Sequence, residues 1–179
     1  MTTAPVLSKS AAAQALAARA EAAALRASPD MKDPAGLRTL MQNARTRNAT
    51  VVYDAAFRRL ANLVPEQEAG TLDFDFWKTT LAYEQVLTEK NGRATRATRL
   101  RQKVARVGVT RTLEDLATAT TASDGFDLLM ARGMPELTAE AIVLQHRARF
   151  SEIAVASAGR RLEAGGADPA AYLPIPTEE

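Results

Sequence analysis

The chain contains no cysteine and a single histidine, His146. Without thiols there is no disulfide framework, no thiolate metal site and no thiol nucleophile. A histidine-based zinc site needs several such ligands, and a catalytic histidine needs a nucleophile and an orienting acid. His146 lies in LQHRARF, close to an expected helix C-terminus, where an imidazole suits the negative end of the helix dipole. No run of about 18 apolar residues exists, so no membrane-spanning helix is expected. The start shows no charged segment followed by a leucine-rich stretch, so a secretory signal is not expected either, and the protein reads as cytoplasmic. Aromatics make up 5% of the residues and fall within apolar helical stripes, which leaves few for stacking on nucleobases.

Motifs of catalysis are equally sparse. No phosphate-binding GxxxxGKS, no GxGxxG and no GxSxG occurs. Asp30-Met31-Lys32 has the acid-x-lysine form of half a nuclease site, but it falls in a loop with no strand to carry a second carboxylate. Asp73 and Asp75 stand two apart at a helix start, as capping of the positive N-terminus requires. The expectation is a protein that is not an enzyme and needs no metal or cofactor.

What the chain does have is alanine and arginine. Apolar residues are 46% of it, but 37 of the 179 residues are alanine, so the large core-forming side chains amount to about a quarter. Alanine favours helix and disfavours strand. The expected class is all-α: a compact multi-helix domain of helix hairpins over 31–166. An Ala-rich helical arm with a disordered start (1–30) precedes it, and an extended, proline-containing tail (167–179) follows.

Helical spacing and stop signals divide the chain further. The arm helix covers 10–27 and ends at Ser28-Pro29. Asp33-Pro34 supplies an N-cap and a first-turn proline for a helix to about Arg47. A third helix runs from about Ala49 to Val64, with Val52, Tyr53, Ala56, Phe57, Leu60 and Leu63 on one side. The segment from Asp73 to Lys90 carries Phe74, Trp77 and Leu81 on one face and Phe76, Tyr83 and Leu87 on another, so it should be buried on two faces. Asn91-Gly92 should end it in a left-handed cap. Further helices are expected at about 94–107, 111–121, 124–132, 136–147 and 151–164.

Arginine outnumbers lysine 18 to 5. Genome composition raises arginine and alanine together, but it does not decide where the arginines cluster. From Lys90 to Arg111 there are eight basic residues and no acid. On a helix from 94 to 107, Arg96, Arg99, Lys103 and Arg106 fall in one stripe about 80° wide. Ala97, Leu100, Val104 and Val107 form the neighbouring stripe and should face the core. Arg93, Arg101 and Arg111 flank the basic stripe, and Thr95 and Thr98 add hydroxyls suited to phosphate oxygens. Cations held in a row repel one another, and a polyanion relieves that repulsion while releasing counterions. Glu114, Asp115, Asp124 and Asp127 follow closely and are the internal alternative as partners. A second basic group, Arg45, Arg58 and Arg59, lies in the hairpin of residues 34–64.

Residues 94–119 also have a helix-turn-helix look, with Val107-Gly108-Val109 as the turn, although Glu114 and Asp115 sit early on the second helix and would face bases or phosphates poorly. The combined expectation is a non-enzymatic nucleic-acid-binding protein. It would contact duplex DNA, rather than RNA, through backbone phosphates. Its role would be regulatory, architectural or accessory to a larger complex. The alternative is a helical adapter for an acidic protein. In either case the N-terminal arm is available for homo-oligomerisation or for a protein partner.

Overall fold

A computed structural model describes residues 9–174, and every regular element among them is helical. The described residues form eight α-helices and four short 3-10 turns, with no strand. The chain groups into two compact units, one ending at Val64 and the other beginning at Pro65.

The first unit holds α1 (Lys9–Ala27), α2 (Pro34–Thr46) and α3 (Thr50–Leu63). Asp33 caps α2 as the Asp-Pro pair implies, its carboxylate accepting the N–H groups of Ala35 and Gly36. Helices α2 and α3 pack as a hairpin around Leu37, Met41, Val52, Ala56, Phe57 and Leu60, all buried. The tight turn between them places Asn48 at φ 55°, a left-handed conformation that asparagine tolerates better than most residues. Arg59 donates from Nε to the Met31 carbonyl at 2.9 Å, fastening the loop before α2 to α3. Helix α1 leaves Leu16 68% exposed, consistent with an alanine-rich segment that has little to bury. The expected disorder at 1–10 falls on residues 1–8, which lie outside those described, while Lys9 and Ser10 already belong to α1.

The second unit is built around α4 (Leu72–Asn91). Thr71 caps it by accepting the Phe74 N–H, and Gly92 at φ 66° closes it in the left-handed cap expected of Asn-Gly. Between Phe74 and Glu89 every residue of α4 is buried or half-buried, so no side of it lies fully in water, as its two apolar faces require. Against it pack α5 (Thr98–Thr118), α6 (Asp124–Ala131) and α7 (Ala139–Gln145), and α8 (Glu152–Ala164) packs on α5 and α7. Their core joins Leu72 and Phe76 of α4 to Leu113, Phe126, Ile142, Val143 and Leu162. Alanines 117, 154 and 158 in that core let α5, α7 and α8 approach closely. The expected helix over 136–147 resolves into two 3-10 turns, Pro135–Leu137 and Arg147–Arg149, flanking the shorter α7. In the tail, Pro169–Tyr172 forms one further 3-10 turn, where extended chain was expected. The remainder of that tail expectation, over 175–179, lies outside the described residues.

Candidate nucleic-acid interface

The basic segment meets the rest of the second unit at Glu84. This glutamate lies in the middle of α4 and is buried, which demands partners for its carboxylate. It has three: the Ala97 N–H at 2.9 Å and Arg101 through Nε at 2.6 Å and Nη2 at 2.8 Å. Arg101 also lies over the Trp77 ring, 5.0 Å from its centroid. Burial alone would push the Glu84 carboxyl up. The hydrogen bonds from Arg101 and Ala97, with the charges of Arg101 and Arg96, outweigh that and hold it below the usual glutamate value. Arg101 is therefore a structural cation, its fork closed on a carboxylate and its face on an indole.

One turn further along α4, the Thr88 hydroxyl accepts the Thr95 N–H at 3.0 Å. Thr95 itself donates its hydroxyl to the Arg93 carbonyl at 2.9 Å and is not directed outward to a ligand. These bonds satisfy the Thr95 and Ala97 N–H groups in a non-helical form. For that reason α5 begins at Thr98, four residues later than spacing predicts, and Arg96 precedes the helix. The expected four-cation helical stripe is thus three helical cations and one on the approach.

Of those cations, Lys103 pairs with Asp115 at 3.0 Å, and Arg111 pairs with the same carboxylate at 2.9 Å. The Lys103 hydrogen bond, with the charges of Lys103 and Arg111, holds the Asp115 carboxyl below its ordinary value. Arg93, Arg96, Arg99 and Arg106 are exposed and have no ion-pair partner among the described residues. The neighbouring apolar stripe behaves as expected over Ala97, Leu100 and Val104, which are buried or packed against the core. Val107 is 38% exposed instead, because the helix breaks at the next residue.

No family model, curated protein or solved structure matches this chain.

The break is Gly108, at φ 81° and ψ 170°, a backbone region open only to glycine. It divides α5 at one residue, where a helix-turn-helix has a longer turn. The second half buries Thr112, Leu113 and Ala117 and packs against α7 and α8. Its C-terminal carbonyls are claimed from α8. Ser157 donates to the Ala117 carbonyl at 2.7 Å, and Arg161 bonds the Leu116 carbonyl at 2.9 Å while also reaching that of Ala119. The exposed or half-buried side of this half carries Arg111, Glu114 and Asp115, a poor surface for a polyanion.

Arg45, Arg58 and Arg59 belong to the first unit. Arg45 is exposed at the end of α2, Arg58 is half-buried on α3, and Arg59 is committed to the Met31 carbonyl. His146 ends α7 and lies 2.8 Å from Asp75 through Nε2. Asp75 is buried and also accepts from Lys78 at 2.7 Å, so it joins α4 to α7 in addition to any capping role. Sequence reasoning missed Glu84, Asp75 and Glu140 as anchors, the last being buried on α7 and accepting from Arg161 of α8 at 2.7 Å. Each is an acid within an otherwise apolar stretch of helix, and that placement was the available signal. Among the described residues no group of three or more metal-ligating side chains converges, and no helix is long and apolar enough to cross a membrane.

Proposed function

We propose that this is a non-enzymatic, cytoplasmic nucleic-acid-binding protein that contacts backbone phosphates of duplex DNA through Arg93, Arg96, Arg99 and Arg106. The observation that carries this reading is four exposed arginines within 14 residues, none paired, beside three cations that are paired. The fold pairs Arg101 with Glu84, and Lys103 and Arg111 with the one carboxylate of Asp115, yet leaves these four in water. Guanidinium groups bond phosphate oxygens bidentately, and such contacts position a duplex without reading its sequence. The paired cations Arg101, Lys103 and Arg111 hold the surface in shape and add long-range field. A regulatory, architectural or accessory role follows from binding without sequence reading.

The test is a triple variant, Arg96→Gln, Arg99→Gln and Arg106→Gln, titrated against random duplex DNA at several salt concentrations. Removing three phosphate contacts should flatten the slope of log affinity against log salt by roughly 2 to 3 units. The loss should be similar on unrelated sequences, and thermal stability should stay nearly level, because none of the three side chains makes an internal ion pair and only the Arg96 charge acts, at longer range, on Glu84. An unchanged slope overturns the reading.

A second reading, an adapter for an acidic protein, draws on α1, where Leu16 and Leu25 remain exposed. Such a partner would co-purify in fixed stoichiometry and would be lost on deleting α1, whereas duplex binding would survive that deletion.

A further inference from the structure

Beside the arginine surface, the second unit contains a cleft of about 500 Å³, within the size range of small-molecule sites. It lies between α4, the first turns of α5 and the start of α6. Its wall is mostly apolar, with Leu87, Leu100, Leu116, Phe126 and Leu129 among the lining residues. Arg96 and Arg99 line it too, and both are exposed, which places them at its mouth. Lys103 lines it while engaged with Asp115.

Two further features favour an anion at the α5 side, and a third lies in the α4 wall. Ala97, the N-cap of α5, has no side-chain acceptor, and the first turn of α5 contains no acid. The Glu84 carboxylate at the Ala97 N–H is balanced by Arg101, and the uncapped N–H groups of Thr98, Arg99 and Leu100 with the helix dipole add positive potential where these residues line the cleft. By contrast, α6 is capped by Ser123, which accepts the Phe126 N–H, and its first residue, Asp124, is acidic. Asp124 lines the opposite side and repels an anion there, so charge orients a ligand toward α5. In the α4 wall, the Thr79 and Thr80 hydroxyls are buried with no hydrogen-bond partner, and a χ1 rotation exchanges the methyl and hydroxyl positions of a threonine.

We infer that this cleft binds a small amphipathic organic anion. Its acid group lies against Arg96, Arg99 and the uncapped start of α5, and its hydrocarbon or aromatic body lies against Leu87, Leu100, Leu116, Phe126 and Leu129. Carboxylate and phosphate monoester share the chemistry that the mouth recognises. The inference stands independently of duplex binding, although Arg96 and Arg99 belong to both surfaces.

The probe is decanoate, titrated calorimetrically into the full chain below its micelle concentration, with 1-decanol and acetate as comparisons. Decanoate should bind one to one. Decanol, which lacks the charge, should bind at least about tenfold more weakly, since hydrogen bonds to charged groups are worth that much. Acetate, which lacks the apolar body, should show no binding at the same concentrations.

Two variants locate the site. Arg96→Gln with Arg99→Gln should weaken decanoate by at least about tenfold and leave decanol unchanged. Gly125→Leu fills the cleft from its wall. A Cβ on Gly125 would stand 3.6 Å from the Tyr83 ring, in ordinary contact and without backbone strain. The variant should lose both decanoate and decanol while keeping the helical circular dichroism spectrum and the duplex-DNA salt slope. Absence of decanoate binding, equal affinity for decanol, or full affinity in the Gly125→Leu variant each overturns the inference. Retention of duplex binding in that variant separates this failure from failure of the phosphate reading.

Discussion

Replacing Glu84 with glutamine should loosen the start of α5 and remove a defined part of the stability of the second unit. The wild-type carboxylate accepts three hydrogen bonds, two from Arg101 and one from the Ala97 N–H. A glutamine of the same shape has one acceptor oxygen and turns an NH2 group toward at least one of those donors. One unmet buried donor costs about 1 to 3 kcal/mol, and the remaining Arg101 bond weakens when its acceptor loses charge. The Arg101 side chain is 29% exposed, so solvent screens part of this. A net loss of about 2 kcal/mol is expected, equivalent to a fall in Tm of roughly 8 °C for a unit of this size.

Trp77, the only tryptophan, lies against Arg101 and reports the change by fluorescence during urea unfolding. Combining Glu84→Gln with Arg101→Met, which keeps an apolar stem on Trp77, should cost less than the two single losses together. That difference is the coupling expected of a direct pair. The pH dependence has a definite sign. The folded-state pKa of Glu84 is lowered, so its contribution is present above the unfolded glutamate value of 4.5 and is lost as pH falls through the lower folded value. In the glutamine variant this part of the acid destabilisation should be missing. A loss below about 0.5 kcal/mol, no greater than for an ordinary surface substitution, would refute the claim that Glu84 sets where α5 begins.

Two other substitutions probe the same region. Gly108→Ala should destabilise by about 1 to 3 kcal/mol through backbone strain alone, because nothing lies within 4 Å of the added Cβ. Unchanged or raised stability in a thermal melt would mean that α5 runs straight through this residue. Thr80→Val removes a fully buried hydroxyl that has no partner, and should leave stability level or raise it by up to about 1 kcal/mol. A clear loss in the same melt would show that the hydroxyl is bonded.

The helical class, the order of the helices and most of their ends were legible in the sequence because they depend on local chemistry. Asp33-Pro34, Thr71 and Asn91-Gly92 mark helix ends by bonds made within a few residues. The burial of α4 on two faces follows from where its apolar residues fall around the helix. The basic character of residues 90–111 was equally plain, since charge is written residue by residue.

Only the tertiary structure decided which of those cations are available. Arg101 sits among arginines that look alike in sequence, yet it alone meets Glu84, 17 positions away, and Trp77. Lys103 is occupied because the break at Gly108 leaves Asp115 within 3.0 Å of it. Arg96 left the helix because Glu84 and Thr88 bond the N–H groups on either side of it in a non-helical form. The cleft has the same origin, as its wall joins side chains from α4, α5, α6 and α7. Helical periodicity says which residues share a face of one helix. It does not say which other helix that face will meet, and both the partners of these charges and the walls of the cleft depend on that meeting.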